Sequence, residues 1–229
     1  MKALILAAGK GTRNPAVTSM MPKPMFEFQG SPLLLHNIRL CKKHGIEDIF
    51  INTHHLADQI QEFFRDGSDY GVRIRYSYEP EIIGTAGALN PIRSHFSSEP
   101  FFILYGDNVS DYPLNELSEL QKEKNTIAAI GCHWLEDVSQ SGVLECGSDD
   151  RIHRFVEKPK PHESESHWVN SGVYCLSPDI LSKIPKGYSD FGHDIFPSLI
   201  KNFECYALRL RIRVFAFDTP ELTKKSQIG

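Results

Sequence analysis

The residues with the clearest chemical potential form a glycine-containing loop near the start of the chain. An apolar run at residues 3–8 is followed by the sequence Gly-Lys-Gly-Thr-Arg at residues 9–13. Glycines let backbone N–H groups approach phosphate oxygens closely, and the planar fork of an arginine suits a phosphate. A Rossmann fingerprint needs a glycine where Asn14 stands, and a Walker A loop needs four residues between its glycines. The loop therefore indicates a phosphate site of another type, with an ordinary tight turn as the alternative.

A lysine between two prolines follows soon after this loop. Lys23 lies ten residues after Arg13, between Pro22 and Pro24. The prolines stiffen the backbone on both sides, and an ammonium group held in this way is a good partner for a phosphate. A lone lysine in this setting is usually part of a surface loop. Its combination with the glycine-containing loop favours a site for a ligand with several phosphates.

Together with motifs further along the chain, these two loops resemble the sugar-1-phosphate nucleotidyltransferase family. Members of that family open with a strand, a Gly-x-Gly-Thr-Arg loop and a Pro-Lys-Pro motif, and the same order and spacing occur here. The resemblance extends over nearly the whole chain, and several motifs in the right order are more specific than any one. The further motifs are Gly-Thr-Ala-Gly-Ala-Leu at 84–89, Tyr-Gly-Asp at 105–107, Glu-Lys-Pro at 157–159, Asn-Ser-Gly-Val-Tyr at 170–174, Asp-Phe-Gly-His-Asp-Ile-Phe-Pro at 190–197 and Thr-Pro-Glu at 219–221.

The resemblance implies an enzyme that joins a nucleoside triphosphate to a sugar 1-phosphate and releases pyrophosphate. It implies that Arg13 holds the pyrophosphate, that Lys23 stabilises charge on the α-phosphate and that Asp107 binds Mg²⁺. In isolation, each of these motifs has a structural alternative. Asp107 could be an ordinary turn residue at a strand end, and Glu157-Lys158 a solvated surface pair. The implied nucleotide-binding residues are Ala8, Gly9, Gly11, Thr12, Arg13, Gly84, Thr85 and Gly87. The implied sugar-phosphate-binding residues are Gly106, Glu157, Lys158, Asn170 and Gly172.

The chain departs from the family pattern in two places. Residues 14–18 differ from the usual Leu-x-Pro-Leu-Thr run, since the proline is displaced by one position. The family often has an aspartate, a second metal ligand, three residues before Thr-Pro, and this chain has Ala216 there. Asp218 stands two residues later, so we expect either that Asp218 takes the role through a local shift or that the second ligand is missing.

The branch of the family is indicated less specifically than the family itself. The Gly-Thr-Ala-Gly segment, the short chain and the Asp-Phe-Gly-His-Asp stretch are most similar to the guanylyltransferases of mannose and heptose 1-phosphates. Cytidylyl- and uridylyltransferases share much of the framework. The two departures also motivate a non-catalytic, nucleotide-sugar-binding regulatory paralogue. A glycosyltransferase of related fold, with Asp107 and Asp111 on a metal, leaves the Gly-Thr-Arg and Pro-Lys-Pro loops unexplained.

The elements that must position these residues alternate between strand and helix in the first half of the chain. Apolar or alternating runs predict strands at 3–8, 49–52, 72–78 and 101–105, with helices at 31–44, 56–64 and 86–96, the last disturbed by Pro91. Ser31-Pro32 is typical of a helix start, and Asn108 to Asp111 of a loop. The second half predicts strands at 126–132, 143–146, 152–156, 169–176, 206–210 and 214–217, with helices near 178–184, 195–201 and 221–226. We therefore predict an α/β fold with a doubly wound, mixed but mainly parallel, Rossmann-like sheet and an extra small β region in the second half.

Composition limits the remaining classes. We expect one domain over residues 1–229, with a nucleotide-binding part at about 1–110 and a sugar-phosphate-binding part at about 111–229. The net charge of −4 and the lack of a long basic run disfavour nucleic-acid binding. No segment is long enough to span a membrane, and the run at 3–8 is too short for a signal peptide, so we expect a cytoplasmic protein. The five cysteines have no close pair and predict free thiols. Edge strands of the second half leave a homodimer open.

Overall fold

The structure, a computed structural model, describes residues 1–9, 11 and 18–217. The chain divides into two compact units. Unit 1 comprises the described residues of Met1–Ile82, Leu104–Asp111 and 214–217, and unit 2 comprises Ile83–Ile103 and Tyr112–Arg213. The hypothesis of a single domain stays a prediction.

Unit 1 is built on parallel strands that follow the predicted order. Its strands and α-helices are β1 (Lys2–Leu6), β2 (Glu27–Phe28), β3 (Ser31–Pro32), α1 (Leu33–Lys43), β4 (Asp48–Thr53), α2 (Ala57–Phe64), β5 (Arg73–Tyr78), the end of β6 (Phe101–Tyr105), β7 (Asn108–Val109) and, far along the chain, the last strand (Phe215–Ala216). It also contains two 3₁₀ turns, Lys23–Met25 and Ser68–Tyr70. Strand β4 pairs in parallel with β1 on one side and with β5 on the other. Leu6 lies beside Asn52, and Asn52 beside Ser77, so the carboxyl ends of these strands meet at one edge.

Helix α1 shows why an apolar stripe predicts a buried face and where that prediction fails. Leu34, Ile38 and Cys41 are fully buried, as their spacing predicts. The predicted start at Ser31 is wrong, because Ser31–Pro32 pairs with β2 as a short strand and the helix begins at Leu33. The hydroxyl of Ser31 accepts a hydrogen bond from Arg39 Nη1 at 3.1 Å and does not cap the helix.

Unit 2 contains a mixed sheet with helices and turns around it. Its described elements are a 3₁₀ helix (Gly87–Phe96), the start of β6, α3 (Leu114–Glu123), β8 (Ala128–Trp134), β9 (Gly142–Cys146), β10 (Ile152–Glu157), β11 (Trp168–Leu176), a second 3₁₀ helix (Pro178–Lys183), a π-helical turn (Phe191–Ile195), α4 (Phe196–Asn202) and β12 (Cys205–Leu210). The last strand of unit 1, Phe215–Ala216, is accordingly β13. Strand β11 runs antiparallel to β8 and β9, β10 runs antiparallel to β9, and β12 runs parallel to β8.

An aromatic cluster joins the sheet of unit 2 to the turn and helix that follow it. Tyr174 of β11 contacts Phe191 and Phe196, with ring centroids 5.4 and 4.9 Å away, and all three side chains are fully buried. Phe191 stacks on Phe196 at 5.3 Å. Aromatic contacts at these distances stabilise beyond their buried area, so the π-helical turn is held against the sheet.

The predicted α/β class with a mixed, largely parallel sheet is confirmed, with local corrections. Helix α3 was not predicted, although Leu114 and Leu117 are fully buried. The predicted loop at 108–111 is partly wrong, because Asn108–Val109 forms strand β7 and pairs with β13. The predicted helix at 221–226 lies outside the described residues. Across the part of the chain that the structure describes, no helix has the length and apolar character needed to cross a membrane.

Candidate functional site

The start of the glycine-containing loop is held by a buried polar network. The backbone N–H of Ala7 donates to Asn52 Oδ1 at 2.7 Å, and Asn52 Nδ2 donates to Glu79 Oε1 at 2.8 Å. Asn52 and Glu79 are 3% and 2% exposed. Ala8 is buried beside this network, and Gly9 follows it. The sequence does not single out Asn52 or Glu79, whose only signal is that Asn52 lies near the carboxyl end of a predicted strand and Glu79 directly after one.

The far side of the loop is fastened to unit 1 at Gly11 and Thr18. The hydroxyl of Thr18 donates to the carbonyl of Gly11 at 3.1 Å. The carbonyl of Thr18 accepts from His55 Nε2 at 2.9 Å, and the carbonyl of Met20 accepts from Gln59 Nε2 at 3.0 Å. The described residues on both sides of the loop are therefore held by side chains from β4, from α2 and from the turn between them. Thr12 and Arg13, with residues 14–17, lie outside the described residues, so their predicted roles stay predictions.

Lys23 and Asp107 meet in unit 1, 84 positions apart in sequence. Lys23 opens a 3₁₀ turn, Lys23–Met25, in which Pro24 is buried. Its Nζ atom lies 2.5 Å from Oδ2 of Asp107, and the two side chains are 12% and 28% exposed. A largely buried ion pair of this kind costs solvation of both charges and is weak evidence for stability. The ion pair is a candidate for chemistry because of where its residues lie. Lys23 follows the glycine-containing loop in sequence, and Asp107 follows Gly106, whose N–H bonds to the end of β1.

Gly106 lets Asp107 follow β6 directly against the end of β1. The N–H of Gly106 donates to the carbonyl of Leu6 at 2.9 Å, and a Cβ at this position would lie 2.8 Å from that same oxygen. No real side chain tolerates such a contact, so glycine is required here. The backbone after Asp107 is supported by Asn37, whose Nδ2 donates to the carbonyl of Asn108 at 2.9 Å. Asn37 is 5% exposed and is another supporting residue that the sequence did not single out.

Strand β13 brings Ala216 next to the segment that carries Asp107. Ala216 pairs with Asn108, and the N–H of Phe217 donates to the carbonyl of Asp107 at 3.4 Å. Phe217 packs into a core cluster with Phe28, and Phe215 joins this cluster from the same face. Strand alternation puts Ala216 on the opposite face, where its methyl group offers no oxygen to a metal. Asp218 lies outside the described residues, so its predicted role as a metal ligand stays a prediction.

Within unit 2, the predicted nucleotide-binding segment 84–87 is fastened to the chain around Ser189. Gly84 has φ +81°, and a Cβ there would lie 2.3 Å from the carbonyl oxygen of Ser189, so only glycine fits. The same carbonyl accepts the N–H groups of Ala86 and Gly87, both at 3.0 Å. The Thr85 hydroxyl donates to Asp190 Oδ2 at 2.8 Å. These contacts fix the segment from one side.

Glu157 and Lys158, at the end of β10, lie in different surroundings. Glu157 Oε2 lies within 2.7 and 2.8 Å of the positions that a Cβ would take on Gly142 and Gly192. The carboxylate therefore sits against two backbones that have no side chain. Lys158 is exposed and has φ +49°, an uncommon conformation for a residue with a side chain. Its N–H donates to the carbonyl of Ser141 at 3.0 Å, which holds this conformation.

Asn170 and Gly172 lie together at an irregularity in β11. The register with β8 shifts between Asn170 and Tyr174. Asn170 Oδ1 accepts from the N–H of Gly172 at 2.9 Å, and Asn170 Nδ2 donates to the Tyr174 hydroxyl at 2.7 Å. An amide can make four hydrogen bonds, so one donor and one acceptor position remain for a ligand.

The predicted site residues that the structure describes fall into separate groups. Unit 1 brings Gly106, Asp107 and Lys23 together, and unit 2 ties Thr85 to Asp190 and Asn170 to Gly172. No group of three or more histidine, cysteine, aspartate or glutamate side chains in this part of the chain is arranged to hold a metal ion. Asp107 thus contributes a single carboxylate at the carboxyl end of β6, where ligands of α/β sheets commonly bind.

Comparison with known proteins gives the family. The nucleotidyl transferase family model matches residues 2–211. A UTP–glucose-1-phosphate uridylyltransferase from Synechocystis is 38% identical over 87% of this chain and 55% of its own length. Mannose-1-phosphate guanyltransferase beta-A from Xenopus laevis is 33% identical over 92% of this chain and 59% of its own length. The chain belongs to the nucleotidyl transferase family, and it spans somewhat more than half the length of these relatives.

A solved structure supports the fold over the full chain. A putative glucose-1-phosphate thymidylyltransferase from Bacillus anthracis, crystallised with a sucrose, superposes with a TM-score of 0.90 at 23% identity. The match covers 100% of this chain and 94% of that one. At this level of identity the likeness concerns the fold.

Proposed function

We propose that this chain is a sugar-1-phosphate nucleotidyltransferase. An oxygen of the sugar phosphate attacks the α-phosphorus of a nucleoside triphosphate, the bond to the β-phosphate oxygen breaks, and pyrophosphate leaves. The observation that carries the proposal is the family match over residues 2–211. The approach of Lys23 to Asp107 at 2.5 Å supports it, because the two motifs must meet for a shared phosphate site to exist.

Lys23 and Arg13 are the cations of the proposed reaction. Both reactants are anions, so their alignment requires positive charge on the chain. Lys23 stabilises the charge that builds on the α-phosphate, and Arg13 holds the departing pyrophosphate. The direct displacement needs no covalent enzyme intermediate. Alignment of the two reactants alone can contribute on the order of 7–11 kcal/mol to lowering the barrier.

Asp107 is the residue that would hold Mg²⁺, with Asp218 as the candidate second ligand. A single partly exposed carboxylate fits this ion, because Mg²⁺ is commonly bound through one or two carboxylates together with substrate phosphates. When bound, the ion would polarise the α-phosphate and screen the repulsion between the two reactants. Asp107 also orients the Lys23 ammonium group through their ion pair.

The residues of unit 2 serve substrate recognition in this proposal. Segment 84–87, with Gly84, Thr85 and Gly87, lies along the nucleotide, and Lys158 binds the phosphate of the sugar. Glu157 and Asn170 bind sugar hydroxyls. The open hydrogen-bonding capacity of Asn170 and the exposure of Lys158 support these roles.

For the substrates, we propose GTP with a manno-configured hexose or heptose 1-phosphate. The Gly-Thr-Ala-Gly segment and the relation to the Xenopus guanyltransferase at 33% identity support this pair. A second candidate pair is UTP with glucose 1-phosphate, because the Synechocystis uridylyltransferase is 38% identical.

A matrix of substrates tests both pairs. The purified chain is incubated with Mg²⁺, one of the nucleoside triphosphates and one of several sugar 1-phosphates, and nucleotide-sugar formation is followed by anion-exchange chromatography. We expect GDP-sugar from GTP and mannose 1-phosphate. UDP-glucose from UTP and glucose 1-phosphate, in place of GDP-sugar, would contradict the guanylyl assignment and keep the reaction.

The regulatory paralogue remains a second candidate function because Ala216 replaces an expected acid. If the missing acid abolishes turnover, Ala216→Asp should restore nucleotide-sugar formation and its dependence on Mg²⁺, since the backbone of β13 already lies beside the Asp107 segment. Ala216→Asn, which has the same shape without the charge, is the matched control. Full activity of the unmodified chain would contradict the regulatory function.

A further inference from the structure

Unit 2 contains a hydrogen-bonded bridge between two motifs that lie far apart in sequence. Thr85 donates its hydroxyl proton to Asp190 Oδ2 at 2.8 Å, across 105 positions, and the Thr85 oxygen accepts the N–H of Phe191 at 2.9 Å. These two bonds form the Thr85–Asp190 bridge. The Thr85 hydroxyl thus both donates to and accepts from the same short segment. The bridge therefore fixes the Thr85 side chain against residues 190–191.

Asp190 carries the bridge on to the π-helical turn. Its Oδ1 atom accepts the N–H groups of Gly192 at 2.8 Å and His193 at 3.1 Å. Its own N–H donates to Asp194 Oδ2 at 2.7 Å. A carboxylate with this many bonds has a single orientation, so a displacement at Thr85 is transmitted to the backbone at Gly192.

Gly192 in turn contacts Glu157. A Cβ on Gly192 would lie 2.8 Å from Glu157 Oε2, which shows how closely the carboxylate lies against this backbone. Asp190 Oδ1 is 3.4 Å from the same position. The order of contacts is therefore Thr85, Asp190, Gly192 and Glu157, and it leads from the proposed nucleotide segment to the proposed sugar-binding acid.

We infer that Thr85 and Asp190 are positioning residues that couple the nucleotide subsite to the sugar-phosphate subsite. The inference rests on the proposed function, because segment 84–87 and Glu157 are substrate-binding elements only within it. The bridge holds segment 84–87, Asp190 and the turn at Gly192 in one arrangement, so a nucleotide bound on this segment stabilises the arrangement that holds Glu157 for the sugar. Thr85 thus contributes to recognition of a substrate that it does not touch.

The bridge can be removed without removing the cap of the turn. Asp190 keeps its bonds to Gly192 and His193 when the Thr85 hydroxyl is absent, since these use its other oxygen. Thr85→Val deletes the hydroxyl with little change of shape, and Thr85→Ser keeps it. Thr126→Val is a matched control in the same unit, because buried Thr126 also donates its hydroxyl, in this case to the backbone carbonyl of Glu204 at 2.5 Å.

The experiment compares Tm and both KM values in these variants. For Thr85→Val we expect the KM for the nucleoside triphosphate and the KM for the sugar 1-phosphate to rise together by about tenfold or more, because the change removes both hydrogen bonds of the Thr85–Asp190 bridge. Thr85→Ser should stay within about twofold of the unmodified chain. Thr126→Val should lower Tm and leave both KM values in place. A rise in the nucleotide KM alone, or in neither KM, would overturn the coupling while the enzyme activity itself stands.

Binding distinguishes failure of the bridge from failure of the proposed function. If the unmodified chain does not turn over, calorimetric titration with GDP-mannose, UDP-glucose and the corresponding free nucleoside monophosphates replaces the KM values. The bridge then predicts that Thr85→Val weakens binding of the sugar nucleotide more than binding of the monophosphate. Equal weakening of both would overturn the coupling, and absence of any binding to the unmodified chain would overturn both proposals.

Discussion

At the residue scale, the ion pair of Lys23 and Asp107 is the chemical centre of the proposed site. The two side chains come from a 3₁₀ turn and from the end of β6, and their charged atoms lie 2.5 Å apart. A second pair in unit 1, Lys43 and Asp111, has the same separation of 2.5 Å but is exposed, at 57% and 77%. The two pairs therefore share geometry and differ in their surroundings.

This likeness allows a controlled test of Lys23. We expect Lys23→Met to lower kcat by about 10²–10³, because a fixed charge that stabilises the transition state is lost. Lys43→Met should leave kcat within about twofold, since exposed pairs contribute little. Steady-state kinetics and Tm are measured on both variants. Equal loss of kcat in the two variants would show that Lys23 has no special part in the reaction.

The sequence predicts the residues of the site that lie in motifs, but not the residues that hold them in place through hydrogen bonds. Some site residues belong to short contiguous motifs that can be recognised in the sequence, namely Lys23, Asp107, Glu157 and Asn170. Asn52, Glu79 and Asn37 do not, because each acts through hydrogen bonds to partners distant in sequence. Such partners become visible only once the strands are placed side by side.

At the element scale, strands were easier to predict than short helices. An uninterrupted apolar run of five residues such as 101–105 is too short for a typical helix and favours a strand buried on both faces. Helix α3 is ten residues long, and only Leu114 and Leu117 in it are fully buried leucines. Its apolar stripe is therefore short and easily overlooked. The Ser31 helix start failed for another reason, because pairing of β2 with β3 used the residues that local preference assigned to a cap.

Strand β8 carries a buried histidine that makes the stability of unit 2 depend on pH. His133 is 6% exposed, its Nδ1 lies 3.0 Å from the Ser171 hydroxyl of β11, and burial lowers the pKa of its imidazole to about 4. Between that pKa and the ordinary value of 6.5, the unfolded chain binds a proton that the folded chain does not. The contribution of the neutral His133 imidazole to the stability of the folded chain is therefore present above pH 6.5 and is lost as the pH falls toward 4.

A variant isolates this effect. From pH 7 to pH 5, the free energy of unfolding should fall by about 2 kcal/mol more in the unmodified chain than in His133→Asn, whose amide does not titrate. Urea unfolding at a series of pH values measures the difference. His162→Asn, at an exposed histidine, is the control and should follow the unmodified chain. Parallel pH profiles for His133→Asn and the unmodified chain would contradict a neutral buried imidazole.

At the scale of the whole molecule, sequence and structure agree on the fold class and divide the chain differently. The sequence predicts a nucleotide-binding first part up to about residue 110. The structure places Ile83–Ile103, and with it segment 84–87, in the same compact unit as Glu157 and Asn170. Sequence order alone does not reveal this, because the hydrogen bonds of segment 84–87 to Ser189 and Asp190 join stretches that are distant in the chain.

The length of the chain also shapes the proposal. The chain spans 55% of the Synechocystis uridylyltransferase and 59% of the Xenopus guanyltransferase, and the family model covers residues 2–211. If the proposed reaction resides within the matched region, this chain should perform it without the remainder found in those relatives.

Pyrophosphate release is the most direct test of that claim. The purified chain is mixed with Mg²⁺, GTP and mannose 1-phosphate, and in parallel with UTP and glucose 1-phosphate, with pyrophosphate measured by a coupled enzymatic assay. We expect release that requires both the triphosphate and the sugar 1-phosphate and that falls by about 10²–10³ in Lys23→Met. Binding of nucleotide sugars without release from either pair, or from any other pair in the matrix of substrates, would contradict the proposed reaction.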